Sequence, residues 1–333
     1  MAAMDNHCIF LLIIFAVSLQ LVAADVATTT SPSAKAYWNM KFPGVSMPPI
    51  LEYMMPKPSG FDYQQGKASF IRDKTMALYN WYSYDVKTSG TQLKNKMFTS
   101  MFIREDDLLK PGTIHELQYL GQSDLGPSFM TRDEVQKLPF TSSNLPQILS
   151  TFGINTASKE AKLMQSTLTR CEDPLKFGHH TCAPSLEDMV DFVSSEFHPS
   201  NPSEDLKVLG VTVTPPMQVN QRYLITGVEK VVEIGNPTIA CHKAAFPYGA
   251  FMCHRMEGAR AYRVELQSLD NNNLKVDTAL VGCHHDTDKW SPSYAAFKLL
   301  DLKPGQPICH FLLADNLIFI KKVDDIKMVV SSE

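Results

Sequence analysis

The chain has 333 residues, 44% of them hydrophobic, with 31 Lys and Arg against 35 Asp and Glu and a formal net charge of -4. That length holds one large domain or two ordinary ones, and the apolar share supports a sizeable core. Nearly balanced charge offers no clustered basic field, which argues against nucleic acid or anionic lipid as a partner.

An apolar run from Ile9 to Ala23 ends in the small residues Val22, Ala23 and Ala24, the pattern of a secretory signal over residues 1–24. No Lys or Arg precedes the run, so an uncleaved anchor or a buried helix is the competing reading. The run is short for a bilayer span, and no later segment is apolar for long enough, so no membrane association is expected after cleavage. Cleavage would remove Cys8 from the seven cysteines and leave an even set, which in an oxidising secretory route favours disulfides. Asn201-Pro202-Ser203 and Asn236-Pro237-Thr238 carry the proline that disqualifies an N-glycan acceptor.

Residues 25–96 are expected to be an extended, mobile leader and spacer. Thr, Ser, Ala and Pro dominate 26–36, and prolines recur at 43, 48, 49, 56 and 58. The cluster Tyr79, Trp81, Tyr82 and Tyr84 reads as an aromatic patch packed onto the following domain.

From 130 to 197 the pattern turns helical, and three helices are expected. Leu145, Ile148, Leu149 and Phe152 recur at helical spacing, as do Ala161, Met164 and Leu168, and Ser185 with Asp188 suits a helix start before Met189. From Leu206 onward the signal is β, in Val208 to Val213, Tyr223 to Val232 and Ala261 to Leu266, with a turn over Asp270 to Asn273. A short helix from Tyr294 to Leu300 precedes a last strand around Phe311 to Ile320. The fold class expected is α+β, a helical N-terminal half followed by a mainly antiparallel sheet.

That sheet carries four Cys-His pairs, Cys241-His242, Cys253-His254, Cys283-His284 and Cys309-His310, separated by ten, twenty-eight and twenty-four residues. Both side chains bind soft and borderline metals well. Reduced cysteines could join the histidines in two zinc centres. Strand alternation opposes this, because a cysteine and the histidine beside it point to opposite faces. The favoured reading locks Cys241, Cys253, Cys283 and Cys309 into two disulfides, with three pairings open. It leaves His242, His254, His284 and His310 as an imidazole site for copper, with zinc as the alternative. Cys171 and Cys182 are expected to pair locally. His179 and His180 between them read as exposed loop residues, and His285 as facing away from His284.

This series resembles the BURP domain, a plant module defined by four Cys-His pairs. Phe246-Pro247-Tyr248, His284-His285-Asp286-Thr287 with Trp290, Pro304-Gly305 and the stretch from Cys171 to Phe192 agree with it, over residues 97–323. Ala36-Tyr37-Trp38 is similar to a segment such proteins carry after the signal. The resemblance implies a secreted protein of the apoplast or cell wall, with the vacuole as the other destination, linked to development or stress response. Its partners would be wall components or a peptide substrate. Some relatives are copper-dependent cyclases that crosslink Tyr or Trp in a core peptide carried by the same chain. Here the nearest such stretches, Gln64 to Phe70 and Tyr79 to Tyr84, lack repetition. Many relatives carry histidine where this chain has Tyr294. An auxiliary subunit of a pectin-degrading enzyme is a further possibility, disfavoured because no long aromatic repeat is present.

Overall fold

The structure is a computed structural model that describes residues 32–73, 90–118, 126–173, 179–197, 206–211, 221–256, 258–270, 275–321 and 327–331. The apolar run at 9–23, the Tyr79 to Tyr84 cluster and most of the Asp270 to Asn273 turn lie outside them.

The β-branched and aromatic runs of the C-terminal half form two antiparallel sheets rather than one. The larger sheet runs β1 (Phe102–Ile103), β10 (Ile308–Phe311), β9 (Lys275–His284), β8 (Ala259–Ser268) and β5 (Gln221–Val232). Two short strands, β2 (Ile114–Leu117) and β12 (Lys327–Ser331), pair along different halves of the far edge of β5. The smaller sheet runs β3 (His180–Ala183), β7 (Phe251–Arg255), β6 (Thr238–Lys243), β11 (Leu317–Lys321) and β4 (Leu206–Gly210). The single strand expected over Phe311 to Ile320 is in fact the end of β10 and all of β11. Ala314 and Asp315 turn the chain between them, so it leaves one sheet and enters the other.

Alternation along these strands gives each sheet two apolar faces. Val231, Ala261 and Leu280 of the larger sheet pack against Ala240, Ile318 and Ile320 of the smaller one, forming the seam between them. The outer face of the smaller sheet, with Ile239, Leu317 and Phe319, is covered by helices.

The helices include α1 (Ala34–Lys41), α2 (Pro49–Tyr53), α3 (Tyr63–Arg72), α4 (Arg132–Lys137), α5 (Leu145–Phe152), α6 (Lys159–Glu172), α7 (Leu186–Glu196) and α8 (Ala295–Leu300), of which α1, α2 and α7 cover that face. Helices α5, α6 and α7 are the three that periodicity predicts, and Ser185 caps α7 by accepting from the Asp188 amide. Helix α4, which periodicity missed, starts in a capping box of Thr131 and Glu134. Buried residues of α5, α6 and α8 share one apolar cluster with the 244–250 connection.

Within the described residues 32–73 the leader folds into three short helices. Ala34 to Lys41 is helical, and Trp38 is fully buried against Phe42 and Phe319, its indole N–H donating to the Val45 carbonyl. Pro48 and Pro49 begin α2, where the missing amide hydrogen and the fixed φ suit a first helical turn. Composition suggested mobility, but a few large apolar residues suffice to dock the segment. Burying a side chain of this class contributes about 1.5–3 kcal/mol. Helix α3 is held closely too, since a Cβ at Gly66 would come within 2.5 Å of the Pro247 carbonyl.

Candidate metal site

Each Cys-His pair sits on a strand, and alternation separates its two side chains. Cys241 and Cys253 are directly opposite on β6 and β7, and Cys283 and Cys309 on β9 and β10. Both pairs are joined as disulfides with Cα atoms 4.0 Å apart, and Cys171 pairs with Cys182. Of the three pairings left open, the structure therefore holds the one in which each disulfide staples neighbouring strands of a single sheet. All four strand cysteines face the outer cores and are fully buried.

The four histidines consequently point the other way, into the seam. His242 and His254 of the smaller sheet stack at 5.4 Å with planes 20° apart. His284 and His310 of the larger sheet stack at 5.5 Å with planes 12° apart. His242 and His310 approach across the seam at 6.4 Å. The four are between 2% and 9% exposed. The structure thus brings together all four residues expected as an imidazole site.

Their surroundings set their protonation. Burial pushes His254 and His310 down to about 4, against backbone hydrogen bonds that act in the opposite direction. Burial and the neighbouring imidazoles hold His242 and His284 well below the ordinary histidine range. All four are therefore neutral at pH 7, the state a metal ligand requires. The Nδ1 atoms of His254 and His310 lie 3.3 and 3.4 Å from the carbonyls of Arg255 and Phe311. A carbonyl only accepts, so Nδ1 carries the proton and Nε2 presents its lone pair.

Four neutral imidazoles with thiols consumed as disulfides make a nitrogen-only donor set, suited to copper(II), nickel(II) or zinc. Among the described residues no three His, Cys, Asp or Glu side chains converge closely enough to hold an ion as they stand. Stacked rings direct their lone pairs side by side, so binding requires the rings to turn about χ2, a broad and soft torsion for histidine.

The neighbouring candidates separate cleanly. His285 leaves the seam, its Nε2 3.2 Å from Glu105, which also accepts from Tyr262 at 2.6 Å. His179 is exposed and lies 2.8 Å from Glu196. His180 is not a loop residue: it sits on β3 directly opposite His254. Trp290 packs on His284 at 5.1 Å, and Tyr294 meets Trp290 edge-on at 5.5 Å. Tyr294 is itself buried and forms the N-cap of α8. Sequence reading missed Lys243, whose ammonium is buried on the other side of the smaller sheet, 3.2 Å from both Asp73 and Asp315.

Comparison with known proteins gives a match to the BURP domain over residues 101–321. The chain is 30% identical to BURP domain-containing protein 5 of Oryza sativa subsp. japonica, over 96% of this chain and 97% of that protein. It is 30% identical to BURP domain protein RD22 of Arabidopsis thaliana over 72% of this chain and 60% of that one. The same identity holds to polygalacturonase 1 beta-like protein 2 of Arabidopsis thaliana, over 76% of this chain and 40% of that protein. Among the described residues no helix is long and apolar enough to cross a membrane.

Proposed function

This chain belongs to the BURP-domain family of plant proteins, and we propose that it is a secreted, wall- or apoplast-directed member that binds a transition-metal ion, copper first, through His242, His254, His284 and His310. The observation that carries this reading is the meeting of two buried, neutral histidine pairs, one from each sheet, on a single seam. Burying four polar rings among apolar side chains has a cost that a purely structural core would avoid. Secretion is supported by the apolar run at 9–23 and by three disulfides, which persist in oxidising compartments. A link to development or stress rests on the family resemblance alone.

A bound copper ion would supply one-electron redox or Lewis-acid chemistry, while the protein's own part is to hold the imidazoles neutral and dry. A cyclase acting on this same chain loses its first candidate substrate. Gln64 to Phe70 lies in α3, with Ser69 and Phe70 buried, and is not offered as an extended peptide. Tyr79 to Tyr84 lies outside the described residues.

The test is metal analysis of the purified secreted protein beside the double variant His242→Ala/His310→Ala. The reading expects bound copper in the first and loss of most of it in the second. Equal copper in both sinks the imidazole site. Mass analysis after incubation with copper addresses the cyclase, which would remove two hydrogens per crosslink.

A further inference from the structure

On the face of the smaller sheet that turns away from the histidines, an amine and two carboxyl groups are held together out of water. Lys243 is the last residue of β6 and shares a face with Cys241, two residues before it, rather than with His242. Its ammonium donates a hydrogen bond to an Asp73 carboxylate oxygen at 3.2 Å and lies 3.2 Å from an Asp315 carboxylate oxygen. All three side chains are at most 3% exposed.

Each group is placed by its own stretch of backbone. Asp73 caps the end of α3, its amide donating to the Ser69 carbonyl. Asp315 lies in the turn before β11, two residues beyond Leu317, which is the partner of Cys241, so it comes up beside Lys243. The Lys243 amide donates to the Asn316 side chain, which ties that turn to β6. Gly126 packs its backbone onto the ammonium, since a Cβ there would overlap Nζ and Cε of Lys243. Only glycine allows so close an approach.

A primary amine kept dry against a carboxyl group is the starting arrangement of an amide. Burying an ammonium and a carboxylate is costly, and a neutral amide carries neither charge. Reactants fixed in this way meet at an effective concentration of about 10⁵–10⁸ M. The Asp73 carboxyl carbon lies one bond beyond the oxygen that Lys243 touches. The soft terminal torsion of aspartate can bring it to the near-attack separation of about 3–3.5 Å. A lysine on a strand stands away from its sheet, and Asp73 meets it there from the end of a helix. Asp315 meets it from beside β6, which suits it to moving protons.

We propose that Lys243 and Asp73 join in an intramolecular isopeptide bond, with Asp315 as the proton carrier. A bond forms between Lys243 Nζ and the Asp73 carboxyl carbon, and one carbon–oxygen bond of that carboxyl breaks. The ammonium gives up two protons. Asp315 passes both to the departing oxygen, which leaves as water, and is a carboxylate again at the end. Nothing is oxidised or reduced, and no co-reactant is required. The product ties α3 to the sheet between residues 170 positions apart and, unlike the three disulfides, withstands reduction. It goes beyond the metal-binding reading and does not depend on it.

The experiment is intact-mass measurement and peptide mapping of the secreted protein after reduction and alkylation. The mass is expected to fall one water below that calculated from its observed ends, and the loss to map to a branched peptide joining Lys243 to Asp73. Asp73→Ala and Lys243→Met should restore the full mass. Asp315→Asn, which keeps both reacting groups, should restore most of it. Native disulfides, checked before reduction, report whether each variant has folded, and the wild-type map decides by itself if none has. Wild-type protein at full mass, with Lys243 open to an amine reagent once denatured, overturns the proposal. So does a water loss that maps to Asp315 or to any other residue, and complete reaction in a folded Asp315→Asn variant removes the role given to Asp315.

Discussion

His242 and His310 belong to different sheets, and their rings meet at 6.4 Å across the seam of the sandwich. The two strands that bear them are stapled to their neighbours by cystines on the opposite faces. A change at the histidines is therefore felt as a change in how the two sheets pack.

Acid should loosen the metal-free protein. An unfolded histidine takes up a proton near 6.5, whereas folded His254 and His310 resist until about 4, and His242 and His284 are likewise held well below 6.5. Between these values the unfolded chain binds more protons, so stability is full above about 6.5 and falls as pH drops towards about 4. Each such histidine contributes a slope of about 1.4 kcal/mol per pH unit. Denaturant midpoints measured from pH 7 to pH 4 should fall steeply, and His254→Asn/His310→Asn should flatten the curve.

Copper(II) should quench the fluorescence of Trp290. Its indole lies 5.1 Å from the His284 ring, whereas Trp38 is on the outer face of the smaller sheet against Phe319. Titration with copper(II) should lose its quenching in Trp290→Phe and keep it in Trp38→Phe. Equal quenching in both variants would place the ion elsewhere.

Breaking the buried triad should be expensive. Lys243 sits between Asp73 and Asp315 with all three side chains at most 3% exposed. Lys243→Met keeps the stem and removes the ammonium from between two buried carboxylates, a kind of loss that costs about 3–5 kcal/mol. Chemical denaturation should show this, and a change below about 1 kcal/mol would contradict the burial of the triad.

The segment before the Cys-His domain should behave as part of it. Trp38→Ala empties a fully buried site between Phe42 and Phe319 and is expected to cost about 3–5 kcal/mol. Thermal unfolding of this variant tests the point, and an unchanged midpoint would return the leader to the status of a tether.

Much of this was legible in the residues because alternation and helical periodicity are local rules. Leu145 to Phe152 and Ala161 to Leu168 announced their helices, and adjacent Cys and His on a strand could only serve different faces. The division into two sheets was not legible, because β11 pairs with β6 and β4 through contacts between distant parts of the chain. His180 was misread for the same reason: a four-residue edge strand has too little pattern to declare itself, and its partner His254 is far along the chain. The prolines near residue 48 misled in another way, because a residue that suits an extended chain also suits the first turn of a helix.

The most direct measurement takes the native, non-reduced protein, exposes it to a thiol-blocking reagent, and then loads it with copper. No labelled cysteine and undiminished copper uptake is the expected result, since sulfur in the strands is held as cystine and the proposed ligands are imidazoles. Labelling of Cys241, Cys253, Cys283 and Cys309 with loss of uptake would contradict it.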